Sequence, residues 1–195
     1  MDSDYKMNKS RKQEILDCAA QLFRKQGFKG TSVKEIAGAI GIEPPSLYNH
    51  ISSKNKILEE LLMQMAHLFT QGMTEISDSS LSPLEKLEKL VGLHVRLTVQ
   101  HTDAIALITG EWVHLSNDAK PAYLSLRNDY EQKFKSILEE AQQLQQIRII
   151  DIDIALFSML STLHWLYSWY SRQDNVNPIE LEKQIITCLI KGLKQ

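Results

Sequence analysis

The sequence predicts an all-α protein of about nine helices, with a three-helix head followed by a larger helical bundle. Three observations lead there. Apolar residues recur at spacings of three and four along most of the chain, and no stretch alternates apolar with polar as a strand would. Gly and Pro are few, 8 and 5 in 195 residues, so long helices can run without a break. Capping residues (Ser, Thr, Asp, Asn) stand where several of the apolar periods begin.

The first helix carries Ile15, Ala19, Leu22 and Phe23 as one stripe, with Phe28 beyond it. Gly27 can end it, because glycine enters the left-handed region without steric cost. Ser32 with Glu35 three residues on forms a capping box that opens a second, short helix, whose apolar face is Ile36, Ala37 and Ile40. Gly41 follows, where a tight turn needs positive φ, and Ile42 can plug the angle between helices. Pro44 and Pro45 suit the first turn of a third helix, where a missing N–H costs nothing. Leu47 and Ile51 then face inward, and Ser46, Asn49 and His50 face outward. Helix, short helix, glycine turn and short polar-faced helix together make the sequence form of a helix-turn-helix.

After Lys54 a long helix runs from about residue 53 to 76 through Ile57, Leu61, Met65 and Phe69. Ser82 and Pro83 open the next, which holds His94. Thr102 and Asp103 open another, expected to continue through Trp112 to Leu115. Ser116, Asn117 and Asp118 cap a long helix through Tyr123 and Tyr130. Asp151 and Asp153 open a helix that is apolar on almost every side from Ile154 to Tyr170. The last helix carries Ile179, Ile185, Ile186, Leu189 and Leu193. Residues 8–55 are expected to form the head and residues 56–195 the bundle.

The net charge of −2 hides an asymmetry. Between residues 5 and 56 ten Lys and Arg stand against four acids, whereas from residue 57 onward twelve stand against eighteen. A basic head on an acidic body suggests that one end meets a polyanion, the alternative being chance clustering on solvated faces. No apolar leader and no span long enough to cross a bilayer is present, and Cys18 and Cys188 form no disulfide framework. A cytoplasmic protein without a cofactor, a membrane partner or a bound metal is therefore expected. Hydrolase, phosphate-loop and zinc-protease motifs are missing, which argues against an enzyme.

The string Thr31, Val33, Ile36, Ala37, Ala39, Ile40, Gly41, Ile42, Ser46, Leu47, Tyr48, His50, Lys54 and Leu58 resembles the TetR family of transcriptional regulators across roughly residues 9 to 60. Two positions depart from the family pattern. Ile51 stands where Phe is usual, and Glu43 stands where Ser or Thr is frequent, a poorer cap that brings a negative charge to the same face. The resemblance implies DNA contacts at the positions the physical reading selects. Ser46 and Asn49 are candidate base readers, and the Pro44 and Pro45 rings can meet a thymine methyl. Lys34 can reach a guanine or a phosphate. Thr31, Ser32, Tyr48 and His50 carry groups suited to phosphate oxygens, although Tyr48 could instead pack on the first helix. Lys54, at the start of the long helix, adds its charge to that helix's free amides as an anion site.

The nearly all-apolar helix must be covered on every side, either by its own chain or by a second copy. A homodimer through residues 154–170 and 179–193 would cover it and address a palindromic operator on double-stranded DNA. A small-molecule inducer is expected within the bundle, lined by His94, His101, Trp112, Tyr123, Tyr130, His164, Trp165 and Trp169. A metal at His94, His101 and His164 is weighed against core packing and lacks the usual ligand spacing. Arg127 with Tyr130, His164 with Trp165, Trp169 with Tyr170, and Gly192 with Leu193 resemble members that answer to acyl-CoA, in which Arg127, Lys133 or Lys135 would meet phosphates. The reading is a repressor released by a lipophilic or acyl-CoA-like ligand. A non-specific architectural DNA binder and a small helical enzyme are the alternatives.

Overall fold

The computed structural model describes residues 10–192. Leu193 and the first two residues assigned to the head, 8 and 9, lie outside them. Nine α-helices and no β-strand are present among the described residues, in agreement with the predicted class. The head is α1 (Arg11–Gly30), α2 (Val33–Ala39) and α3 (Pro44–Tyr48). The bundle is α4 (Lys54–Ser77), α5 (Pro83–Gln100), α6 (Thr102–Ile108), a short 3-10 turn (Glu111–His114), α7 (Ala119–Gln143), α8 (Ile152–Tyr170) and α9 (Pro178–Lys191).

Side-chain caps open most of the helices, although Asp118 makes no cap bond at the start of α7. Ser10, Ser32, Ser53, Ser82, Asp151 and Asn177 each cap the helix that follows, accepting a bond from one of its first amides. Gly27 has φ 78° and ψ 156°, a conformation open to glycine, and kinks α1 ahead of a last turn that carries Phe28. The expected helix through Trp112 stops earlier. The Thr109 hydroxyl bonds back to the Ala106 carbonyl at 2.8 Å, Gly110 follows, and Trp112 falls on the 3-10 turn.

Two large apolar clusters fill the molecule, beside a small one of Val95, Leu166 and Leu181. One joins Ile15, Ala19, Phe23, Ile36, Leu47 and Ile51 of the head to Ile57, Leu58, Leu61 and Leu62 at the start of α4. Leu107, Leu115 and Tyr123 of the bundle belong to the same cluster. The other gathers Met65, Phe69 and Met73 of α4 with Leu90, Phe134, Leu138, Met159 and Leu163. The helix α4 thus lies in both cores. Each fully buried leucine or phenylalanine contributes about 1.5–3 kcal/mol, so the head is bound to α4 by many such terms.

The chain does not enclose α8. Ala155, Met159, Leu163 and Leu166 are buried. Ile154 is 60% exposed, Phe157 71% and Trp165 63%. On α9 the stripe is partly covered by the chain itself: Ile185, Ile186 and Leu189 pack partly against its core, and Ile190 is buried. No helix among the described residues is long and apolar enough to cross a membrane.

Candidate nucleic-acid interface and ligand cavity

The head presents α3 on a glycine turn. Gly41 sits at φ 70°, and Ile42 N–H donates to the Ala37 carbonyl at 3.0 Å, which turns the chain between α2 and α3. Pro44 and Pro45 occupy the first turn of α3, and Glu43 makes no side-chain cap bond, as its chemistry suggested. Leu47 and Ile51 are buried beneath the helix. Pro45, Ser46, Asn49 and His50 are exposed, Pro44 is half-buried, and the Tyr48 side chain is 50% exposed rather than packed away on α1. Ser32 and Lys34 are exposed at the start of α2. The Ser32 hydroxyl accepts from Glu35 N–H at 3.2 Å, and the Glu35 carboxylate accepts from Ser32 N–H at 2.7 Å. The Ser32 hydroxyl also donates to that carboxylate at 2.7 Å, and this bond first, then the one from Ser32 N–H, holds the Glu35 carboxyl below its usual range.

Two of the expected DNA contacts need correction. Thr31 is 2% exposed, and its hydroxyl donates to the Gly27 carbonyl at 2.9 Å, so this group holds the kink of α1 rather than a phosphate. The ammonium of the half-buried Lys54 is held by the protein's own backbone. It donates to the Phe28 carbonyl at 2.8 Å and to the Thr31 carbonyl at 2.7 Å, and lies 4.5 Å from the centre of the Phe28 ring. The carbonyls left over where α1 ends draw it inward, because a cation beside such groups satisfies them.

The same corner is tied to the bundle. The Glu111 carboxylate accepts from Phe28 N–H at 3.4 Å, and the His114 ring stacks on Phe28 at 5.6 Å. Arg24 pairs with Asp103 at 2.7 Å. Trp112, between Glu111 and His114, faces the other way, into a cavity of about 380 Å³.

That cavity is walled by Ala66, Phe69 and Thr70 of α4, His94 of α5, Ile108 and Thr109 at the end of α6, Tyr123, Leu126, Arg127, Tyr130 and Glu131 of α7, and Leu160, Ser161, His164 and Trp165 of α8. Six of the eight expected lining residues are there: His94, Trp112, Tyr123, Tyr130, His164 and Trp165. His101 is not. It caps α5, its N–H still donating to the Leu97 carbonyl, but it lies about two turns along the axis from His94 and borders a separate depression with Gln13 and Asp103. Trp169 is not there either; it lies on the outer side of α8, 44% exposed. Lys133 and Lys135 do not line the cavity, and Lys135 pairs with Asp153 at 2.5 Å. Phe69 and Leu160 escaped sequence reading because they look like ordinary core positions, and Glu131 because it looks like a solvated charge. Among the described residues no three His, Cys, Asp or Glu side chains gather as a metal site would require.

Burial sets the protonation of the cavity. His94 and the Tyr130 hydroxyl share a hydrogen bond of 2.9 Å. Burial, and then the neighbouring His164, push His94 down to about 3, and burial raises Tyr130. Burial pushes Tyr123 up to about 12, and lowers His164 with help from Arg127. Arg127 and Lys120 lie 5.2 Å and 5.1 Å from the Trp112 ring.

Comparison with known proteins agrees with this architecture. Residues 15–61 match the family model for bacterial regulatory proteins of the tetR family, and residues 80–193 match that for the tetracyclin repressor-like C-terminal domain. The chain is 31% identical over 186 residues to the HTH-type transcriptional repressor KstR2 of Rhodococcus jostii, covering 94% of this chain and 91% of that protein. The ketosteroid transcriptional regulator KstR2 of Mycobacterium tuberculosis superposes with a TM-score of 0.90 at 23% identity, over 96% of each chain. AibR, in complex with isovaleryl coenzyme A and operator DNA, superposes with a TM-score of 0.79 at 23% identity, over 93% of this chain and 98% of that one. With a family match over more than half its length and an exposed helix-turn-helix at its head, the chain belongs to the TetR family and is a DNA-binding transcriptional regulator rather than an enzyme.

Proposed function

We propose that the protein is a cytoplasmic homodimeric repressor that occludes a promoter at a palindromic operator and lets go when a small lipophilic ligand enters the cavity of each copy. Residues 8–55 would act as the reading head and residues 56–195 as the sensing and dimerising body. One observation carries the reading: the 3-10 turn Glu111–His114 walls the cavity with Trp112 and grips the head at Phe28 with Glu111 and His114. A ligand that fits better when Trp112 is displaced shifts the population toward a head position that two half-sites one DNA turn apart do not accept. The names of the relatives, which speak of ketosteroid regulation and isovaleryl coenzyme A, support a lipophilic or acyl-CoA-like ligand.

Selection of bound sites from random DNA by the full chain tests this. A two-fold symmetric consensus is expected, preferred over random DNA by about 10³-fold or more. Equal binding to all sequences would make the protein an architectural binder instead. In the same assay Asn49→Ala relaxes preference at a single position in each half-site, at a cost of about 1–3 kcal/mol on the best site. Lys34→Ala weakens all sites alike and reduces the salt slope by about one if its contact is to phosphate.

The grip on Phe28 makes a separate prediction. For a compound that releases wild-type protein from DNA, His114→Ala leaves the compound's affinity for free protein unchanged within about twofold. It cuts the compound's effect on operator affinity several-fold, by about 1 kcal/mol of coupling. Calorimetry for the compound and fluorescence anisotropy for the operator check the two halves. Coupling preserved in the variant would remove the turn from the path.

A further inference from the structure

The cavity has two poles of different chemistry. At the buried pole stand His94 and Tyr130, hydrogen-bonded to each other and both almost wholly shielded from solvent. The Phe69 ring packs against both, and the His164 ring lies 6.0 Å from His94. These groups are neutral at ordinary pH. A neutral donor–acceptor pair in an apolar wall suits a neutral oxygen. A charge placed there would lose its hydration.

At the other pole stands Arg127. Its Nε is buried and makes no hydrogen bond, while the side chain as a whole is 39% exposed. The carboxylate facing it, that of Glu131, sits 3.5 Å away, long for a bond between charged groups. Lys120, outside the cavity lining, lies over the same Trp112 ring as Arg127. An unsatisfied buried donor on a cation calls for an acceptor, and a negative one serves best.

Size narrows the choice. A cavity of 380 Å³ equals the space of about a dozen waters at ~30 Å³ each. A nucleotide-bearing thioester carrier exceeds it, so only the acyl part of such a molecule would enter.

We infer that the cavity takes a compact lipophilic molecule bearing two oxygen functions, a neutral carbonyl or hydroxyl at the His94–Tyr130 pole and an anionic group at Arg127. The inference rests on the cavity being the inducer site. The anion can be the carboxylate of a free acid or a phosphate of a carrier left outside the cavity.

Four probes titrated into the full chain separate these cases: 9-oxodecanoate, its methyl ester, decanoate and the coenzyme A thioester of 9-oxodecanoate. Calorimetry and the fluorescence of Trp112 and Trp165 report binding. The keto acid binds about tenfold more tightly than its ester and several-fold more tightly than decanoate, the ratios expected for one charged and one neutral hydrogen bond. Arg127→Gln erases the first difference and keeps the second, and Tyr130→Phe does the reverse. A thioester that outranks the free acid, with its advantage lost in Arg127→Gln, assigns the anion to the carrier, and the opposite order assigns it to the carboxylate. Equal binding of acid and ester, equal binding of keto and deoxo acids, ratios untouched by the variants, or no binding by any probe at millimolar concentration overturns the inference. If Tyr130→Phe does not fold, the wild-type ranking alone decides. Operator release is scored in parallel. Probes that bind in this order but leave DNA bound defeat the inducer reading and spare the cavity chemistry, and operator release without these ratios does the opposite.

Discussion

Lys54→Met is expected to abolish operator binding on every sequence and to lower the melting temperature by about 10 °C. The side chain keeps its length and loses its charge, so the Phe28 and Thr31 carbonyls lose their donor together. Bonds to a charged donor contribute about 1.5–3 kcal/mol each, and the contact with the Phe28 ring adds about 0.5–1 kcal/mol. The terms sum to about 3.5–7 kcal/mol, reduced to about 3–5 kcal/mol because Lys54 is only half-buried, and at about 2–4 °C for each in a chain of this size they give the shift. Loss of DNA binding then follows from loss of the head's shape, since Phe28 and Thr31 join α1 to α2. The opposing account makes Lys54 a phosphate contact. It predicts an unchanged melting curve, a moderate loss of affinity and a salt slope reduced by about one. Thermal melting with salt-dependent anisotropy distinguishes them, and an unchanged melting temperature defeats the structural role.

Phe157→Asp is expected to turn a dimer into folded monomers and to reduce operator affinity at least a hundredfold. On its own chain Phe157 is 71% exposed, so the substitution removes little packing and the helical circular dichroism spectrum should persist. In a two-fold interface through α8 each change occurs twice, and a buried unpaired carboxylate costs several kcal/mol. Both terms fall on association alone. With monomers, the two heads no longer share one binding event, and the gain in effective concentration disappears. Sedimentation at micromolar protein reads the first effect and anisotropy the second. A dimer that survives Phe157→Asp with wild-type strength places the interface elsewhere.

The features that could be read from the sequence are those fixed within a few residues. The Ser32–Glu35 box, the Gly41 turn and the paired prolines of α3 act through neighbouring backbone, and each stands where the spacing put it. What escaped depends on distant contacts or on how far along a helix a residue lies. The partners of Lys54 lie 26 and 23 residues away, and no local pattern announces them. His101 keeps the helical phase of His94 but lies about two turns further along α5, beside a different depression. The cavity wall was found through its odd members, a histidine or tryptophan on an apolar stripe, and missed where the wall is made of Phe69, Leu160 or Thr70, which fit a solid core as well as a hollow one.

The sharing of α4 between two cores bears on the grafting of parts between relatives. A chimera cut at the loop before Lys54 would seat a foreign head on Ile57, Leu58, Leu61 and Leu62, and also on Leu107, Leu115 and Tyr123 from much further along the chain. Transplanting DNA preference therefore calls for a graft drawn through space, with those seven positions travelling alongside the donor's first fifty residues.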